Sequence, residues 1–191
     1  MSKNIEPTVN EIFIQAVQFH QKNRLENAKE LYLKILKKNP NFVSAYNNLG
    51  LIFKSIHEIE KAKNCFEKAI KIDPKFFMAH NNLGVLFKDS GEIEKAKNCY
   101  EKAIEINSKF SDAYNNLGVV LTNLGKSQEA INNYCAALKF NSKHKDAQLN
   151  IITDLTFFTP DKTQNNDNLL IIVNNELRNI NNNVIFEKLL K

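Results

Sequence analysis

Apolar residues recur at helical spacing along most of the chain, and the pattern they make is itself repeated. Between residues 43 and 76, Tyr46, Leu49, Ile52 and Phe53 stand at offsets of three, four and seven, which places them on one face of a helix. Ile59, Ala62, Phe66, Ala69 and Ile70 make a second such face after a short polar break. The same sentence is then written again. VSAYNNLGLIFKSIHEIEKAKNCFEKAIKIDPKF at 43–76 becomes FMAHNNLGVLFKDSGEIEKAKNCYEKAIEINSKF at 77–110, and SDAYNNLGVVLTNLGKSQEAINNYCAALKFNSKH at 111–144. A looser copy occupies 9–42. The reading is an all-α chain of four helix-turn-helix repeats, because a period of about 34 residues suits paired helices that stack on their neighbours.

The flanks follow from the same pattern. Residues 1–8 are polar and read as a flexible N-terminus, with Pro7 and Thr8 opening the first helix. A fifth first helix starts at Lys145 and keeps Ala147, Asn150, Ile151 and Leu155 in step. It reads as a capping half-repeat over 145–159, stopped by Pro160. Residues 160–168 are a polar linker. From 169 to 191, Leu169, Val173, Leu177, Ile180 and Val184 predict a helical C-terminal extension. The sequence ends on the apolar stretch IFEKLLK, which suggests that a partner or further sequence covers it.

Certain positions do not vary with the copies. A glycine stands at Gly50, Gly84 and Gly118, an alanine at Ala62, Ala96 and Ala130, and a large ring at Phe66, Tyr100 and Tyr134. Repeat one aligns Ala28, Tyr32, Ile35 and Pro40 with these units, and Pro74 closes the second. Together these residues resemble the tetratricopeptide repeat, read four times in register across 9–144. Ala16 replaces the glycine of repeat one, His80 fills an aromatic position, and Ser108 and Ser142 stand where proline is usual. A serine there can cap the next helix. The resemblance implies a right-handed superhelix whose first helices line a concave groove. Stability would be shared between repeats and their interfaces.

Composition changes this picture little. Apolar content of 43% and charged content of 25% are those of a folded chain, and five Gly with four Pro favour long helices over a strand-rich fold. The net charge of +5 invites a nucleic-acid reading, but only Arg24 and Arg178 are arginines. The lysines alternate with glutamates in EIEKAK, where Glu60 with Lys63 and Glu94 with Lys97 are spaced to pair along a helix. That mixture argues against a phosphate-binding stripe. The three cysteines form no CxxC, and Cys65 and Cys99 share one position in successive repeats, where a thiol packs as a small hydrophobe. No apolar leader and no run long enough to span a bilayer is present, so a cytoplasmic protein without membrane insertion is expected.

The candidate binding residues lie on the first helices. Asn48, Asn82, Asn116 and Asn150 recur every 34 residues. A carboxamide donates and accepts together, so such a series can hold the backbone of an extended peptide without reading its side chains. Copies are separated by about 10 Å, one helix-packing distance, so one asparagine meets about every third ligand residue. Solvated helix surface is the competing account, since asparagine is common throughout the chain. Beside the series, Leu51, Val85 and Val119 with Lys54 and Lys88 form an apolar and basic floor suited to a peptide carrying acidic residues; inter-repeat packing explains the aliphatics equally well. The series resembles the one in the solenoid of O-linked N-acetylglucosamine transferases. The carboxylate clamp of cochaperone relatives is matched only at Asn48, since Phe13, Val17, Met78 and Asn82 fill its other positions.

No catalytic constellation emerges. His20, His57, His80 and His144 occupy four different repeat positions and make no metal pair or triad, and NNLG is a helix motif rather than a phosphate loop. The sequence therefore predicts a non-enzymatic scaffold, without cofactor or metal, that binds a protein or peptide segment. The rival is the substrate-recognition N-terminal part of a larger, glycosyltransferase-like enzyme. RNA binding through the basic surface is a third reading and predicts steep salt dependence. The sequence leaves the partner and the oligomeric state open.

Overall fold

The computed structural model describes residues 7–157, and among these residues it contains nine helices and no strand. The expectations for the linker, the C-terminal extension and the first six residues lie outside the described residues. In chain order the helices are α1 (Val9–Gln21), α2 (Leu25–Lys38), α3 (Val43–Ser55), α4 (Ile59–Ile72), α5 (Phe77–Asp89), α6 (Ile93–Ile106), α7 (Ser111–Asn123), α8 (Ser127–Phe140) and α9 (Lys145–Phe157). The odd-numbered helices are the first helices of the pairs. Contacts divide the chain within α5, after Leu86.

In the unit before that division, α1 packs on α2 and α3 on α4, and α2 joins the pairs through α3. Its core gathers Ile12, Ala16, Tyr32, Ile35, Leu49 and Ile52, all buried. In the unit after it, α6 packs on α7, α7 on α8, and α9 against both α7 and α8. Val120, Ile131, Tyr134, Leu138 and Ile151 fill that core. The repeated alanine and ring positions are buried in all four copies, Ala28 with Tyr32 through Ala130 with Tyr134. Ile59, which the pattern assigns to the buried stripe, is 37% exposed. As the first residue of α4 it stands at the edge of the face that Ala62 and Phe66 bury.

Close approach of the paired helices explains the glycines. A Cβ built on Gly50 would lie 2.6 Å from Cε1 of the buried Phe66, and one on Gly118 would overlap the ring of Tyr134. The ring of the second helix occupies the space that a side chain on the first would need.

The turns also repeat. Between the helices of each pair, Asn23, His57, Gly91 and Gly125 hold φ of 56°, 60°, 77° and 72°. This left-handed residue ends the first helix and lets the chain double back. Between pairs, the side-chain Oδ1 of Asn39, Asp73, Asn107 and Asn141 accepts the backbone N–H two residues on, at 2.9–3.2 Å. These four turns shape the approach to the next first helix. Phe110 is the N-cap of α7 and makes no side-chain cap bond. Ser108 and Ser142 instead offer their carbonyls to Tyr114 Oη and Gln148 Nε2. Thr8 does cap α1, in a capping box with Glu11.

Of the two expected charge pairs, the one between Glu94 and Lys97 shifts register. Lys61 pairs with Glu58 and Lys95 with Glu92, while Lys97 meets Glu101 at 3.3 Å rather than Glu94. Glu58 and Glu92 each stand just before the helix whose lysine they meet, so these bonds also tie down the helix start. The mixed-charge face remains, and such exposed pairs stabilise little.

Candidate functional site

The repeated NN doublet places two carboxamides side by side on α3, α5 and α7. Helix rotation of about 100° per residue separates their fates. The fifth residue of each first helix, Asn47, Asn81 or Asn115, is buried. The sixth, Asn48, Asn82 or Asn116, is half-buried, as is Asn150 on α9.

The two kinds of asparagine are bonded to each other across repeats. Asn82 Nδ2 donates to Asn47 Oδ1 at 2.8 Å, joining α5 to α3. Asn150 Nδ2 donates to Asn115 Oδ1 at 3.0 Å, joining α9 to α7. A buried acceptor on one first helix is thereby satisfied by the sixth residue of the next. Asn48 follows the rule as far as it can. The fifth residue of α1 is Phe13, which has no acceptor, so Asn48 Nδ2 donates to the Tyr32 hydroxyl at 3.2 Å. Asn48 Oδ1 also accepts from Asn47 Nδ2 at 3.3 Å. Phe13 packs its ring on Tyr32 and Phe42.

Asn48, Asn82 and Asn150 are therefore part of the packing between neighbouring repeats. Their capacity for a guest is what these bonds leave over. Asn82 and Asn150 each commit one N–H, and among the described residues neither Oδ1 has a hydrogen-bond partner. A carboxamide with an open acceptor and a second N–H still presents both polarities to a ligand backbone. The fifth-position asparagines were not singled out by sequence reasoning, although the doublet NN, written three times, marks them.

The proposed floor is distributed over the same helices. Leu51, Val85 and Val119 are half-buried, as are Lys54 and Lys88. Lys88 lies 3.2 Å from the carboxylate of Asp89, so its charge is partly answered within the chain.

The histidines serve the fold. His144 Nδ1 accepts the N–H of Ala147 at 3.3 Å in the first turn of α9, and Nε2 meets Asp112 at 3.2 Å. His80 Nε2 bonds the Pro74 carbonyl at 3.0 Å. His20 lies edge-on to Tyr32, and burial pulls its pKa below the usual value. Cys65, Cys99 and Cys135 are not joined in disulfides, and burial pushes the thiols of Cys65 and Cys99 up to about 11. Among the described residues no cluster of His, Cys, Asp or Glu is arranged to hold a metal ion, and no helix is long and apolar enough to cross a membrane.

Residues 43–76 and 77–110 match a tetratricopeptide repeat model, and residues 99–132 match a second model of the same description. The chain thus carries tetratricopeptide (TPR) repeats. A crystal structure of MamA is similar, with a TM-score of 0.67 at 23% identity, over 85% of this chain and 92% of that one. YrrB, described as a TPR protein with an unusual peptide-binding site, gives 0.64 at 21% identity, over 90% of this chain and 86% of its own. MamA 41-end from Desulfovibrio magneticus RS-1 gives 0.60 at 16% identity, over 72% and 77%. The fold is that of the TPR solenoids. Comparison with curated proteins found no match.

Proposed function

We propose that the chain is a non-catalytic scaffold that binds an extended segment of a partner protein along its first helices. The observation that carries this reading is the open acceptor on Asn82 and on Asn150. Each of these side chains is already held in place by a bond to the preceding first helix. A polar group fixed in advance loses little freedom when a ligand arrives. The half-buried Leu51, Val85 and Val119 supply apolar contact beside it, and Lys54 and Lys88 favour acidic residues in the guest. A solved protein of the same fold, YrrB, is described as binding peptide. Three cysteines outside any disulfide suit work in a reducing compartment such as the cytoplasm. The regular asparagine series also supports a second reading, in which the same surface presents substrates to an enzyme of the O-linked N-acetylglucosamine transferase kind.

The test separates ligand contact from repeat packing. An array of extended peptides, acidic and neutral, is probed with the wild type and with two double variants. Asn82→Ala with Asn150→Ala removes the open acceptors. Asn47→Ala with Asn115→Ala breaks the same inter-repeat bonds and keeps the acceptors. The proposal expects binding to be lost in the first variant and retained in the second. Equal binding by the first variant and the wild type would refute it.

A further inference from the structure

One face of α8 differs from that of the second helices before it. Its fifth, ninth and twelfth residues are Ile131, Cys135 and Leu138, which at offsets of four and seven share a side of the helix. In the three earlier second helices the fifth residue is a half-buried lysine, Lys29, Lys63 or Lys97. The ninth is the exposed Leu33, Glu67 or Glu101, and the twelfth is the half-buried Leu36, Ile70 or Ile104. In α8 all three positions are closed off: Ile131 and Leu138 are 0% exposed and Cys135 4%.

The neighbouring first helices do not account for this closure. α2 lies between α1 and α3 as α8 lies between α7 and α9. With neighbours of the same kind, Leu33 at the ninth position of α2 stays 48% exposed. Glu101 also stays exposed on α6, which packs on α7. A further segment therefore covers α8, and beyond the described residues its own compact unit continues through 158–191. That stretch carries a matching stripe, since Leu169, Val173, Leu177, Ile180 and Val184 recur at steps of three and four. The 11 residues of 158–168 precede it. Extended, they span about 36 Å. That exceeds the roughly 20 Å length of a helix such as α9 and the roughly 10 Å between packed helices, so the stripe can reach α8.

We infer that the chain binds its own C-terminal segment: the apolar residues of 169–184 dock on the face of α8 made by Ile131, Cys135 and Leu138. The occupant is this segment and not a partner, because the face is already buried within a single chain. The exchange of residue types in the fourth repeat has its reason here. A lysine and a glutamate under such a cover would lose their water, whereas an isoleucine and a cysteine gain from burial. The contact lies on a second helix, apart from the asparagines of the first helices, so it stands or falls separately from the peptide-binding reading.

Alkylation of the full chain, followed thiol by thiol by mass spectrometry, tests this. Cys135 is expected to react slowly in the wild type. Val173→Lys with Leu177→Lys should speed its alkylation by about tenfold or more, because the cover opens locally, and should leave Cys65 and Cys99 as they were. A benzophenone amino acid in place of Leu177 gives an independent reading. In dilute solution, light should join it to the 127–140 peptide of the same molecule. A Cys135 rate that the double variant leaves unchanged overturns the inference. So does a cross-link that goes elsewhere in the chain or to a second copy. Rates that rise together at all three thiols report loss of the fold, and the cross-link alone then decides: to α8 it sustains the inference, and to any other place it overturns it.

Discussion

Thr122 on α7 donates its hydroxyl to Oδ2 of Asp154 on α9 at 2.6 Å and meets the Tyr134 hydroxyl of α8 at 3.0 Å. Asp154 is only 5% exposed, and it occupies the position that Ile52, Leu86 and Val120 fill in earlier first helices. Burial pushes its carboxyl above the ordinary carboxylate range, against the opposing effect of the Thr122 bond. Tyr134, the titratable group that meets this cluster from α8, is itself pushed up to about 12.

The first prediction follows from the sign of that shift. A carboxyl raised in the folded state binds its proton more tightly there than in the unfolded chain. Its contribution to stability is complete below the ordinary carboxylate pKa and is lost as pH rises through the raised folded value. Asp154→Asn should flatten this loss, measured as thermal midpoint against pH. Asp154→Val restores the aliphatic of the other copies and should stabilise α9 at neutral pH by about 1–3 kcal/mol.

The bond between Asn47 and Asn82 is open to a double-mutant cycle. Asn47→Ala and Asn82→Ala should each lower stability in denaturant unfolding. The double variant should lose less than the sum, with a coupling of about 0.5–1.5 kcal/mol. Strict additivity would mean that the bond contributes nothing to joining α3 and α5.

Tyr32 and Tyr100 occupy one repeat position but should respond differently to phenylalanine. The Tyr32 hydroxyl accepts from Asn48, so Tyr32→Phe should cost about 1 kcal/mol. The Tyr100 hydroxyl is buried without a partner. Tyr100→Phe should be neutral or stabilising, and the chain already carries Phe66 at the same position. Thermal unfolding of the two variants side by side decides this.

His57 holds a φ of 60°, where Gly91 and Gly125 stand in later repeats. A side chain in left-handed backbone costs about 1 kcal/mol relative to glycine. His57→Gly should therefore raise the unfolding midpoint, and Gly91→Ala should lower it.

Much of this was legible in the sequence because a repeat states each fact several times. The starts of α3, α5, α7 and α9 fall where the copies begin, and the ring facing Gly50 was implied by small and large residues recurring in step. What escaped depends on rotation within a single turn of helix. Asn47 and Asn48 are neighbours of one type, and only the azimuth of α3 makes the first an interior acceptor and the second a surface group. Ile59 reads as core by spacing, but the helix starts there and leaves it at an edge. Ser108 has the chemistry of a cap, yet Asn107 reaches the N–H of Lys109 first. The left-handed turn position passed unnoticed because Asn23 and His57 share no side-chain property with Gly91, only a backbone angle.

Helices packed on their sequence neighbours, as α1 is on α2 and α7 on α8, have a consequence for how the chain is made. Such contacts span short loops, so closing them costs little entropy. A nascent chain need not wait for its far end: each hairpin of helices can settle soon after it clears the ribosome, onto the hairpin made just before it.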